Sequence, residues 1–133
     1  MARKRFLNLF IFFILVTLLP SCGKKPSYPE NSILGGWMCF EAEPNYRNYP
    51  VSIDYINDDS SAIVIYNFYN LGFETETFAT MVDTLITISG TSGFNDFTGT
   101  GHVERDFSAI HWQFSYFGTT SSTPQVEAVY RRY

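Results

Sequence analysis

Residues 109–117 constrain the fold more than any other stretch of the chain. Ile110, Trp112, Phe114 and Tyr116 alternate with His111, Gln113 and Ser115. A repeat of two turns one set of side chains into a core and the other into water. That is the pattern of a half-buried β-strand, because a helix repeats every 3.6 residues. No stretch after residue 32 has helical periodicity. The rest of the chain breaks into short runs rich in Ile, Val, Thr, Tyr and Phe, separated by Gly, Asn, Asp, Ser or Pro. These runs predict strands over residues 34–43, 51–57, 62–70, 73–82, 85–89, 97–104, 109–117 and 125–133. Residues 57–60 and 83–84 read as tight turns, and 90–96 and 118–124 as loops.

Eight strands with short connections favour an all-β, antiparallel, up-and-down barrel, closed or open, because closure removes exposed sheet edges. Gly99 and Gly101 share a strand face with Val103, as expected where backbone bends sharply or another chain segment comes close. From Cys22 onward, 20 of 112 residues are aromatic. A core of that composition is large enough to exclude intrinsic disorder. An eight-stranded barrel either fills its interior with side chains or holds one small ligand.

The N-terminus is of another kind. Arg3, Lys4 and Arg5 precede an apolar run over residues 6–19, interrupted only by Asn8 and Thr17. A basic segment followed by an apolar run of this length reads as a signal peptide over residues 1–21, and is short for a membrane span. Leu19-Pro20-Ser21-Cys22 resembles a bacterial lipobox, which implies cleavage before Cys22 and lipid attachment to it. Alternative readings are a plain signal peptide cut near Ser21 and an uncleaved anchor. Residues 22–32 are polar and carry Pro26 and Pro29, so they read as a tether to a barrel domain over residues 33–133. Lys24 and Lys25, just after the cysteine, favour a periplasm-facing position on an outer membrane. With Cys22 acylated, Cys39 has no intramolecular partner, and is expected to be a buried, inert thiol.

Gly35-Gly36-Trp37 resembles the G-x-W motif that opens the first strand of lipocalins and related calycins. The resemblance implies that Trp37 closes one barrel end, with Arg131 or Arg132 packed over its ring. An ordinary core role for Trp37 is the alternative. Residues 66–72 (Tyr-Asn-Phe-Tyr-Asn-Leu-Gly), followed by Gly99-Thr100-Gly101, also resemble small lipoproteins of Bacteroidota. The helix that lipocalins place before their last strand has no counterpart in residues 118–124, so a pared-down, lipocalin-like barrel is implied. Asp83-Thr84-Leu85 resembles the acceptor for O-glycans on exported proteins of that phylum, which makes Thr84 a candidate for glycosylation.

No catalytic constellation or cofactor motif is present, so neither an enzymatic role nor a cofactor is expected. His102 and His111 fall on adjacent strands but on outward faces, as two solvated histidines, with Glu104 or Asp106 nearby, and no metal is expected. Asp58, Asp59, Asn95 and Asp96 read as turn residues. Glu74 and Glu76 read as a pair that keeps a strand edge soluble. Residues 33–133 carry 12 acidic against 4 basic side chains, a formal charge of −8, which excludes nucleic acid as a partner. Two functions are open at this level. One is a lipid-anchored barrel that binds a small apolar ligand. The other is a filled barrel that docks on an envelope complex, with its protein partner unknown.

Overall fold

A computed structural model describes residues 28–29 and 31–133. The signal peptide expected over residues 1–21, Cys22 and the tether up to residue 27 lie outside the described residues. The strands are Gly35–Glu41 (β1), Asn48–Ile56 (β2), Asp59–Tyr66 (β3), Glu76–Val82 (β4), Leu85–Thr91 (β5), Asp96–Val103 (β6), Ala109–Phe117 (β7) and Ser122–Arg131 (β8). Each is antiparallel to the next, and β8 returns to β1 with Cys39 opposite Tyr130, so the sheet is a closed barrel. No α-helix occurs among the described residues. The fold is therefore the all-β, eight-stranded up-and-down barrel expected from the strand pattern, and of the two forms it is the closed one. It is compatible with a lipocalin-like fold.

Strand alternation sets the contents of the interior. Trp37 and Cys39 on β1, Val51 and Ile53 on β2, and Ile63 and Ile65 on β3 all turn inward and are buried. Trp112 and Phe114 on β7 face Val126, Ala128 and Tyr130 on β8. Opposite the two large β7 side chains, β6 supplies glycines: Gly99 pairs with Phe114 and Gly101 with Trp112. A Cβ at Gly101 would lie 2.9 Å from the Trp112 ring, and one at Gly99 would run into the backbone of Gln113 and Phe114. The two glycines thus make room for the bulk that β7 brings to the core.

The β2–β3 hairpin turns at Asn57 and Asp58, both at positive φ, as a two-residue type I′ turn requires. Several strand boundaries differ from the sequence expectation, among them the start of the third strand, at Asp59 inside the expected turn. The second strand starts earlier, at Asn48. The fifth continues to Thr91, and the eighth starts at Ser122, inside the expected loop.

The third and fourth strands differ for a structural reason. The third stops at Tyr66 rather than Asn70, because Asn67 enters the left-handed region (φ 61°) and Phe68–Asn70 forms a 3₁₀ turn. Asn67 holds this turn through its side chain: Nδ2 donates to the Pro50 carbonyl (2.6 Å), and Oδ1 accepts from the Gly72 amide (2.8 Å). Phe68 and Tyr69 then fold into the mouth of the barrel and are buried. The fourth strand begins only at Glu76, so Glu74 lies in the connection and does not share a strand face with Glu76.

Candidate functional site

The two ends of the barrel are closed by different means. At the N-terminal end, Trp37 is fully buried and its Nε1 donates to the Ile33 carbonyl (2.8 Å). The Arg132 guanidinium stacks 3.9 Å from the centre of the Trp37 ring. The same guanidinium donates to the Leu34 carbonyl (2.6 Å) and to the Ser32 carbonyl. Arg132 thus clamps residues 32–34 across this end, combining a cation–π contact with two charge-assisted hydrogen bonds. Arg131 is exposed, within the β8 ladder opposite Met38 and Ala109, and does not meet Trp37. Tyr28 packs against Gly35 at this end, so the chain before the barrel arrives here.

At the opposite rim the β3–β4 connection serves as a plug. The Phe68 ring sits 5.0 Å from Phe97, 5.3 Å from Trp112 and 4.8 Å from Phe114, centre to centre. Tyr69 lies above it, 4.7 Å from the Tyr116 ring and 5.7 Å from Phe114. Trp37, Phe68, Ile53, Ile63, Ile65, Ile86 and Val126 have no surface open to a water-sized space. The interior is filled, with the aromatic rings at edge-to-face and tilted angles that favour them.

Above the plug lies a buried polar cluster. The Glu41 side chain is fully buried and receives the Arg47 Nε (3.1 Å) and Nη2 (3.2 Å), the Asn45 Nδ2 (3.0 Å) and the Tyr49 hydroxyl. The Arg47 guanidinium lies 4.6 Å from the Tyr69 ring centre, and the Tyr69 hydroxyl bonds Asn45 (3.1 Å) and Thr123 (3.0 Å). A carboxylate taken out of water needs such partners, and here four donors converge on it. The cluster ties the β1–β2 connection to the plug and to β8, so it locks this end. The sequence reading passed over Glu41. Its signal was the phase of the first strand, since Trp37, Cys39 and Glu41 fall on one face.

Cys39 is the one free cysteine among the described residues and is buried. Desolvation is the main force that pushes its pKa up to about 12, so at neutral pH it is a thiol and not the nucleophilic thiolate. Cys39 is therefore expected to resist alkylation by iodoacetamide in the folded protein and to react quantitatively in denaturant. Rapid native labelling mapped to Cys39 would contradict its placement.

His102 and His111 stand directly opposite each other on β6 and β7, both exposed. His111 Nε2 meets Glu104 Oε1 at 2.8 Å. That contact, with a second hydrogen bond from Ser108, holds the Glu104 carboxyl below the ordinary range. No group of three metal-ligating side chains converges among the described residues. The two histidines border a shallow groove of about 320 Å³ on the outer wall, with Phe40, Thr100, Gln113 and Glu127. Thr84 occupies the β4–β5 turn, half-buried, and its carbonyl accepts the Val103 amide (2.8 Å).

No family model, curated protein or solved structure matches this chain.

Proposed function

We propose that this chain is a lipid-anchored cell-envelope protein that acts through its outer surface, docking on an envelope complex, and does not carry a ligand in its lumen. The observation that supports this reading is the plug. Phe68, from the chain's own β3–β4 connection, occupies the centre that an apolar ligand would take, among Phe97, Trp112 and Phe114. Ligand sites in such barrels are concave, largely preformed apolar spaces of about 300 Å³ or more. Spaces of that size, the groove beside His102 and His111 and two others at the barrel ends, are lined mainly by surface residues and lie on the outside. The reading gives the protein no catalytic role and no nucleic-acid partner.

The anchor in this reading is Cys22, on an outer membrane, and Lys24 and Lys25 just after it support a periplasm-facing position. A Cys22→Ala variant is expected to leave the membrane fraction. Retention there would point to the apolar run over residues 6–19 as the anchor instead.

A second reading, a lipocalin-like carrier of a small apolar molecule, has one observation in its favour. Trp112 Nε1 and Thr77 Oγ1 are buried without a hydrogen-bond partner among the described residues. Polar groups of this kind orient ligands in apolar pockets. Binding of an apolar fluorophore separates the two readings.

A further inference from the structure

We propose that the barrel rim opposite the N-terminal end is the docking surface for a protein partner with a basic, partly apolar face. The proposal rests on the outer-surface reading above and names the part of that surface. Four connections form this rim, and an exposed aromatic lies in or directly beside each. Tyr46 lies in residues 42–47, Phe73 in 67–75 and Phe94 in 92–95, and Phe117 ends β7 beside residues 118–121. Their exposures are 70%, 51%, 89% and 47%.

Three of the four aromatics are held out by local structure. Tyr46 takes a left-handed backbone (φ 46°), and its hydroxyl donates to Glu43 (2.7 Å). Phe94 follows Gly93 (φ 86°) at a loop tip. Phe117 continues the outward phase of β7, one residue beyond the inward Tyr116, whose hydroxyl ties to Asn95 in the neighbouring connection (2.9 Å). Apolar rings placed in water around one end of a filled barrel gain nothing for folding. Aromatic anchors of this kind dominate the energetics of protein interfaces.

Charge selects the occupant. Glu43, Glu74 and Asp96 are exposed on this rim and Glu76 is half-buried there. The rim's one basic side chain among the described residues is Arg47, already paired with buried Glu41. An acidic border with no free cation repels an anionic lipid surface and attracts Lys and Arg on a partner. Position agrees with this, because the chain enters at the far end, beside Tyr28, Gly35 and Arg132. An anchor on that chain leaves this rim pointing away from the membrane.

The test places a photoreactive benzoylphenylalanine at position 94 or 73 of the full chain, in the cells that make it. Controls carry it at Val82 or Leu85, which are also exposed and apolar but lie at the N-terminal end. The expected result is one protein adduct shared by positions 94 and 73 and absent from 82 and 85. The cross-linked peptide is expected to lie in a Lys- or Arg-rich segment. Neutralising the border with Glu43→Gln, Glu74→Gln and Asp96→Asn together is expected to cut the yield about threefold or more. A matched thermal melt confirms that the variant folds.

The proposal is overturned by no protein adduct from either rim position, by adducts only to lipid, glycan or a second copy of the chain, or by a yield that ignores the border charges. Adducts from positions 82 and 85 alone overturn it too, while leaving the outer-surface reading in place. Saturable binding of an apolar fluorophore in the lumen removes the outer-surface reading itself.

Discussion

Phe68→Ala is expected to cost about 3–5 kcal/mol of stability, the range for deleting a fully buried phenylalanine. Phe68 belongs to a 3₁₀ turn between strands, where a substitution would ordinarily cost little. The large effect comes from its position, since its ring touches Phe97, Trp112, Phe114 and Tyr130, contributed by β6, β7 and β8. Removing it takes away the buried ring and leaves a void that rigid strand walls cannot close. Urea unfolding followed by circular dichroism measures the loss. A cost below about 1 kcal/mol would mean that the ring does not hold the centre of the barrel.

A second large effect is alkaline unfolding. Three acidic protons are buried together near the Glu41 cluster. Desolvation pushes the Cys39 thiol up to about 12, and it moves the Tyr49 and Tyr130 hydroxyls well above the ordinary phenol range. Below about pH 8 the folded and unfolded chains both hold all three protons, so these groups make no contribution to pH dependence. Above about pH 8.5 the unfolded chain releases the thiol proton, and above about pH 10 the phenol protons, while the folded chain keeps them. The unfolded state then binds fewer protons, so stability falls as pH rises.

Each group contributes up to about 1.4 kcal/mol per pH unit, and above pH 10 three together give about 4. The urea midpoint is expected to be level from pH 7 to 8, to decline through pH 10, and to drop steeply by pH 11. Cys39→Ala is expected to delay the first decline to about pH 10. A midpoint unchanged to pH 11 would show that these groups are not buried as described.

The barrel was legible because its walls obey the simplest rule, a repeat of two. Ile110, Trp112, Phe114 and Tyr116 placed β7 almost to the residue, and Gly99 and Gly101 marked where β6 yields to it. The plug was hidden by the same rule. Residues 66–70 (Tyr-Asn-Phe-Tyr-Asn) have the composition of a strand, and local propensity carries them to Asn70. Burial of Phe68 in the centre of the barrel overrides that propensity, and Asn67, among the residue types most tolerant of a left-handed backbone, makes the turn.

The choice between Arg131 and Arg132 was also open in the sequence, since both fall on the expected terminal strand over residues 125–133. Phase resolves it: Val126, Ala128 and Tyr130 face inward, and Arg132 continues that side while Arg131 faces out. The Glu41 cluster was missed because a carboxylate is rarely expected inside a core. Its partners Arg47, Asn45 and Tyr69 come from connections that strand periodicity does not describe. The exposed aromatics at the rim carry no sequence signal that separates them from core aromatics. Only the finished topology puts Tyr46, Phe73, Phe94 and Phe117 at one end.

The filled interior is the claim on which the rest depends, and a titration of the folded wild-type barrel with an aminoanthracene probe tests it most directly. Tryptophan emission serves as the second readout, because Trp37 and Trp112 both sit in the core. The account predicts no saturable rise in probe fluorescence and unchanged tryptophan emission. Saturable one-to-one binding that quenches the tryptophans would contradict it and identify the barrel as a carrier.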